Sequence, residues 1–176
     1  MDQVAPQQAI VLLVEDDPGD QELTRRALQG DALKVDLRIV DDGVIAMEYL
    51  LREGTYDAET APRPDLILLD LNMPKMDGRQ VLMRIQQHPE LKSIPIVVLT
   101  TSHQEEDVFR SYDLGCNSFI TKPVAFEQFA NVVRDLEHYW FELVKLPTGL
   151  DLRSDSQPHT GRTTISAAPS SLGGNI

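Results

Sequence analysis

The chain has 176 residues, enough for one domain of ordinary size and a surplus. Its 28 Asp and Glu against 16 Lys and Arg leave a net charge of −12, and no Lys/Arg-rich run interrupts that excess, so binding to a nucleic-acid backbone lacks its electrostatic driver. With one cysteine, Cys116, no signal-peptide pattern and no apolar run near about 18 residues, the composition predicts a cytoplasmic protein with no intrachain disulfide and no membrane span.

Residues 1–8 read as an extension before the first element. Ile10 to Val14 is an unbroken apolar run, the pattern of a strand buried on both faces, and it ends in Glu15-Asp16-Asp17. Pro18-Gly19-Asp20 then opens a helix expected to run to Gly30. Val35 to Val40 alternates polar with apolar residues and so belongs nearer a sheet edge, and Gly43 to Glu53 carries apolar residues at helical spacing. The connection from Leu51 to Pro64 is longer than the usual two to six residues, roughly, between such elements. Leu66 to Leu69 is a second buried strand ending at Asp70, and Asp77 to His88 is a third helix.

Ile96 to Leu99 is a third buried strand, followed by Thr100-Thr101-Ser102. A fourth helix begins near Gln104 and stops before Gly115, whose missing Cβ suits a left-handed cap. The short run Ser118 to Thr121 makes a further edge strand and leads into Lys122-Pro123. From Phe126 the last helix places Phe129, Val133, Leu136, Trp140 and Leu143 or Val144 on one face and continues to Leu146. Residues 147–176 hold five Ser, four Thr, four Gly and three Pro without Phe, Trp or Tyr, so they are expected to be a disordered tail. Asp151 and Asp155 cancel Arg153 and Arg162 there, which assigns the whole −12 to the first 146 residues.

Strands alternating with helices predict a doubly wound α/β/α domain over 9–146, of flavodoxin-like kind, with five parallel strands and five helices. Ligands of such sheets bind at the carboxyl ends of the strands. If the three apolar runs are neighbours, Glu15, Asp16 and Asp70 converge there, beside the Thr100 hydroxyl and the Lys122 ammonium. Carboxylates that close repel unless a cation neutralises them, and the absence of His and Cys among them points to a hard ion, Mg²⁺. The plainer reading, helix caps and loop acids, accounts for Asp17 or Asp20. It accounts less well for Asp70 at the end of an apolar strand with Lys122 and Thr100 ending two others. These residues suit an Asp70 nucleophile attacking phosphorus, with Mg²⁺ held by Asp16, Asp70 and the Asn72 backbone carbonyl, and with Glu15 holding a metal-bound water. Lys122 and Thr100 would each meet a phosphoryl oxygen.

Val14-Glu15-Asp16-Asp17, Leu69-Asp70-Leu71-Asn72-Met73-Pro74-Lys75-Met76-Asp77-Gly78, Leu99-Thr100-Thr101-Ser102 and Thr121-Lys122-Pro123 together resemble a response-regulator receiver domain. The resemblance implies that a sensor histidine kinase or histidine phosphotransfer protein donates a phosphoryl group to Asp70, with Mg²⁺ required. It also implies Asp16 as direct metal ligand, Glu15 as supporting acid, a cis Lys122–Pro123 bond, and Phe119 as the aromatic that changes rotamer with Thr100. By the same resemblance, Asn72 and Ser102 take positions that in this family tune phosphoryl lifetime. The long 51–64 connection and the extended last helix look like the stand-alone receivers that serve bacterial phytochromes. A homodimer with Tyr139, Trp140 and Phe141 near the contact is expected on the same grounds. Kinase choice is expected to rest on an exposed face of the first helix, including Gln21, Thr24, Arg25 and Leu28. The competing enzyme reading is a Mg²⁺-dependent phosphatase with an Asp nucleophile, but Asn72 stands where such enzymes carry a general acid. No segment suits a helix-turn-helix effector, so output should pass through a protein partner, a phosphate-sink role or a change in self-association.

Overall fold

The structure, a computed structural model, describes residues 8–29, 34–101, 115–116, 118–123 and 125–138. Within them β1 (Ala9–Val14), β2 (Val35–Val40), β3 (Leu66–Asp70), β4 (Ile96–Thr100) and β5 (Ser118–Thr121) form one parallel sheet in the order β2-β1-β3-β4-β5. The three unbroken apolar runs take the centre, where β3 and β4 are buried at every residue. The two strands expected at edges are there, and they are largely half-buried.

Four helices are described: α1 (Pro18–Ala27), α2 (Gly43–Leu51), α3 (Gly78–Gln86) and α4 (Phe126–Glu137). The helix expected between Gln104 and Gly115 lies outside the described residues, as do Ser102, Tyr139, Trp140, Phe141 and 147–176.

Side chains alternate across a strand, and that alternation sorts the core into two layers. Ile67 and Leu69 of β3 share one side with Leu12 and Val14 and with Met47 of α2 and Val81, Leu82 and Ile85 of α3. Leu66 and Leu68 share the other side with Val11 and Leu13, with Ala27 and Leu28 at the end of α1, and with Phe129, Val133 and Leu136 of α4. The 129/133/136 stripe is thus buried as its spacing predicts.

The same helical period corrects the expectation for α1. Thr24 and Leu28 are buried, with the Thr24 hydroxyl donating to the Asp20 carbonyl at 2.9 Å, because positions 24, 27 and 28 share the face turned toward the sheet. Arg25 is exposed and Gln21 half-buried.

α2 stops two residues short of the expected Glu53. Arg52 turns into the left-handed region (φ 56°) and its Nε donates to the Ala61 carbonyl at 3.2 Å. The long connection that follows is tightly built. Ala61 is buried, the Tyr49 hydroxyl donates to the Pro62 carbonyl at 2.9 Å, and the Tyr49 and Tyr56 rings meet edge-on at 5.4 Å. Arg63 donates to the Glu90 carbonyl at 2.6 Å and to Ser93 Oγ at 2.8 Å, tying this loop to the one before β4. Cys116 is buried and burial pushes its thiol up, in keeping with a packing role.

Candidate functional site

Register brings the chemistry together. Val14 pairs with Leu69, Asp70 with Leu99 and Thr100 with Thr121, so the carboxyl ends of β1, β3, β4 and β5 lie along one edge of the domain. Glu15 and Asp16 follow β1, Asp70 ends β3, Thr100 ends β4 and Lys122 follows β5. Carboxylate oxygens of Glu15, Asp16 and Asp70 lie within 4.8 Å of one another. Glu15 (1% exposed), Asp70 (6%), Thr100 (0%) and Lys122 (8%) are all buried, which leaves Asp16 as the most open of the three acids.

Lys122 Nζ donates to Glu15 Oε2 and, at 2.8 Å, to Asp20 Oδ2, and it stands 3.9 Å from Asp70 Oδ2. Glu15 Oε1 accepts the Asp17 amide at 3.1 Å. Asp70 Oδ1 accepts the Asn72 amide at 3.4 Å, and the Asn72 side-chain amide reaches Thr100 Oγ1 at 3.5 Å. Phe119, on β5 opposite Val98, is half-buried against the layer that contains α2 and α3. The Lys122–Pro123 bond is trans, since no described peptide is cis, which corrects the cis expectation. Trans is the lower-energy form by about 0.5–1 kcal/mol, and from this backbone the four-carbon stem already carries the ammonium to the acids.

Burial first, then the Asp70 charge, pushes Glu15 up to about 7, despite its bond to Lys122. Asp70 is raised as well, mainly by burial, against the pull of Lys122 and the Asn72 amide. Burial disfavours the Lys122 charge, yet Asp20, Asp70 and Glu15 more than offset it and hold the ammonium above its ordinary value. Three carboxyl groups, Glu15, Asp20 and Asp70, therefore share one ammonium, two of them are pushed toward protonation, and Asp16 adds a further carboxylate beside Glu15 and Asp70, so the ligand atoms this cluster offers are oxygens. Such a set fits Mg²⁺, which binds oxygen and relieves the crowding.

Neighbouring backbone sets the place of Asp70. A Cβ on Gly78 would sit 2.3 Å from the Asp70 carbonyl oxygen, so the first residue of α3 can pack there only as glycine. Asp77 and Gln80 close a reciprocal capping box on that helix.

Sequence reasoning missed Asp20 as a partner of Lys122 and read it only as a loop or capping acid. An acid in the first turn of α1, facing back toward the Glu15-Asp16 segment, was the available signal. Also missed were two ties among the loops, Gln21 Nε2 to the Glu15 carbonyl (2.7 Å) and Asp41 Oδ1 (2.8 Å), and Lys75 Nζ to Asp42 Oδ2 (2.8 Å).

Residues 11–134 match the model of the response regulator receiver domain. The chain is 47% identical over 138 residues to the response regulator Rcp1 of Synechocystis sp., covering 78% of this chain and 92% of the relative. Among solved structures it is similar to the phosphorylated cyanobacterial phytochrome response regulator RcpA, with 45% identity and a TM-score of 0.76 over 81% of this chain and all of that one. It is also similar to the Mn(2+)-bound form of Rcp1, with 47% identity and a TM-score of 0.74 over 79% of this chain and 99% of that one. No described helix is long and apolar enough to cross a membrane.

Proposed function

The chain belongs to the response-regulator receiver family of two-component signalling, and from that premise we propose that it accepts a phosphoryl group on Asp70 from a sensor histidine kinase or histidine phosphotransfer protein. One observation carries the reading: a buried carboxylate at the end of a central strand, within 4.8 Å of two further acids and 3.9 Å from a buried ammonium. An Asp70 oxygen attacks phosphorus, the O–P bond forms as the donor's N–P bond breaks, and the donor imidazole recovers its electron pair. For this Asp70 must be ionised, although burial opposes its charge.

Asp16, Asp70 and the Asn72 backbone carbonyl would hold Mg²⁺, with Glu15 supporting from behind. The bound ion supplies charge that keeps Asp70 ionised and screens it from the phosphoryl oxygens. Lys122 already has its ammonium beside Asp70 and, as the phosphoryl group arrives, trades a carboxylate partner for a phosphoryl oxygen. Thr100 turns its hydroxyl to a second phosphoryl oxygen, and Phe119 repacks beside it. Output passes by protein–protein contact.

Similarity to RcpA, a phytochrome response regulator, supports a phytochrome-type kinase as donor. Self-association through Tyr139, Trp140 and Phe141 is part of the same reading. It predicts that a Trp140→Ala, Phe141→Ala variant sediments as a smaller species than the parent chain.

Incubation with acetyl phosphate and Mg²⁺, read by phosphate-affinity electrophoresis, tests the acceptor. A phosphoprotein band should accumulate with Mg²⁺, vanish on chelation, and be absent in Asp70→Asn. A band of equal strength in Asp70→Asn would overturn the assignment. Rapid multiple turnover of a phosphomonoester would favour the phosphatase instead.

A further inference from the structure

The loop between β2 and α2 contributes no acid to the cluster, yet its two consecutive aspartates each hold one of the loops that do. Asp41 Oδ1 accepts from Gln21 Nε2 at 2.8 Å, and the same Gln21 amide donates to the backbone carbonyl of Glu15 at 2.7 Å. That contact fixes the segment bearing Glu15 and Asp16. Asp42 is 3% exposed; its Oδ1 caps α2 through the Ile45 amide at 2.9 Å, and its Oδ2 accepts from Lys75 Nζ at 2.8 Å. Lys75 lies in the loop between Asp70 and α3.

Two backbone features accompany this second contact, in which the Asp42 side chain is buried and the Lys75 side chain 66% exposed. Lys75 is one of two described non-glycine residues at positive φ (64°), a conformation that costs a side-chain-bearing residue energy and persists only where surroundings enforce it. Backbone packing is equally close, since a Cβ on Gly43 would lie 2.4 Å from the Met76 carbonyl oxygen. The β2–α2 turn is therefore clamped against the 71–77 loop by an ion pair at Lys75 and by direct packing one residue beyond.

We propose that Asp41 and Asp42 form a brace in which Gln21 and Lys75 act as positioning residues, holding the loop of Asp16 and the loop of Asp70 and Asn72 at the separation a Mg²⁺ ion requires. The inference rests on the metal-dependent phosphoacceptor reading above. Outer contacts that orient metal ligands commonly change affinity about 10–100-fold when removed.

The sign of the effect separates a brace from simple electrostatics. Lys75 is a cation, so erasing its charge should tighten binding of another cation if charge alone mattered. Loss of a brace should weaken it. The experiment is calorimetric titration of Mg²⁺ into the full chain and into Lys75→Met, Lys75→Arg, Lys75→Gly and Gln21→Leu, with the melting temperature of each metal-free protein measured alongside. Lys75→Met should bind Mg²⁺ about tenfold more weakly, Lys75→Arg should stay within about threefold of the parent, and Gln21→Leu should weaken binding in the same direction. Lys75→Gly, which relieves the positive φ but removes the ion pair, should behave like Lys75→Met. Mg²⁺ affinity in Lys75→Met equal to or tighter than that of the parent would overturn the brace, whatever its melting temperature. Absence of Mg²⁺ binding by the parent chain would instead remove the metal reading on which it rests.

Discussion

The two ends of the sheet handle polar groups in opposite ways. At the amino ends of β3 and β4, Arg63 meets the Glu90 carbonyl and Ser93 Oγ, Tyr49 meets the Pro62 carbonyl, and the Asp65 carboxylate takes the Ile10 amide at 2.8 Å. Donor and acceptor are matched almost one to one, and the result is a long loop held in one shape. At the carboxyl ends Glu15, Asp20 and Asp70 crowd around Lys122 and Asp16 lies against Glu15 and Asp70, with two of the acids raised by burial. One end is satisfied by the chain itself; the other is left short of positive charge. The contrast teaches that stability is invested where nothing needs to change, while the site keeps a shortage of positive charge that an incoming cation can fill.

The comparison breaks most sharply at Lys122. Replacing it by Met leaves Glu15, Asp20 and Asp70 without their ammonium, and breaking such a buried pair should lower the unfolding free energy by about 3–5 kcal/mol in urea melts without Mg²⁺. Added Mg²⁺ should recover part of that loss. A metal-free Lys122→Met protein as stable as the parent would show that the acids do not depend on this cation.

Glu15 sharpens it through pH. Its folded value near 7 exceeds its ordinary 4.5, so its contribution is fully present below about 4.5 and is lost as pH rises toward 7, in the metal-free chain. Asp70 is shifted in the same sense, whereas Asp42 is lowered, burial opposing its charge but Lys75 and the Ile45 amide outweighing it, and so it works in the opposite sense at lower pH. Glu15→Gln removes the titration at one position. Its stability relative to the parent should rise by about 2–3 kcal/mol between pH 4.5 and 7, a gain that Mg²⁺ erases by stabilising only the parent's ionised carboxylate. A flat difference across that range would place the deficit elsewhere.

The smallest effect is expected at the satisfied end. Arg63→Met loses two hydrogen bonds on an exposed side chain, and about 1–2 kcal/mol should disappear from urea unfolding. Mg²⁺ affinity and phosphorylation of Asp70 should stay within about twofold of the parent. A larger effect on Mg²⁺ would show that the two ends are coupled.

What could be read in the sequence follows the same division. Apolar runs and helical spacing located all five strands and the buried stripe of α4, because period alone determines which residues face inward. The positions of Glu15, Asp16, Asp70, Thr100 and Lys122 were also legible, because each stands at the end of a recognisable strand or within two residues of it. Pairings between distant side chains were not. Asp20 with Lys122 and Asp42 with Lys75 depend on distances that exist only once the sheet is assembled. An exposed place for Thr24 and Leu28 rests on how receivers generally meet kinases, and their burial follows instead from the facing of one helical turn. Arg52 and Lys75 adopt a backbone region in which glycine would be the expected choice, so nothing in their identity announces it.

The contact between Gly78 and the Asp70 carbonyl has a practical meaning for anyone building chimaeras from this scaffold. Only a hydrogen atom separates the start of α3 from the backbone of Asp70, so the helix and the strand end form one unit of exchange. A graft that replaces α3 without Asp77 and Gly78, or that imports β3 beneath a foreign helix, would move the Asp70 carboxylate before any residue of the site had been altered.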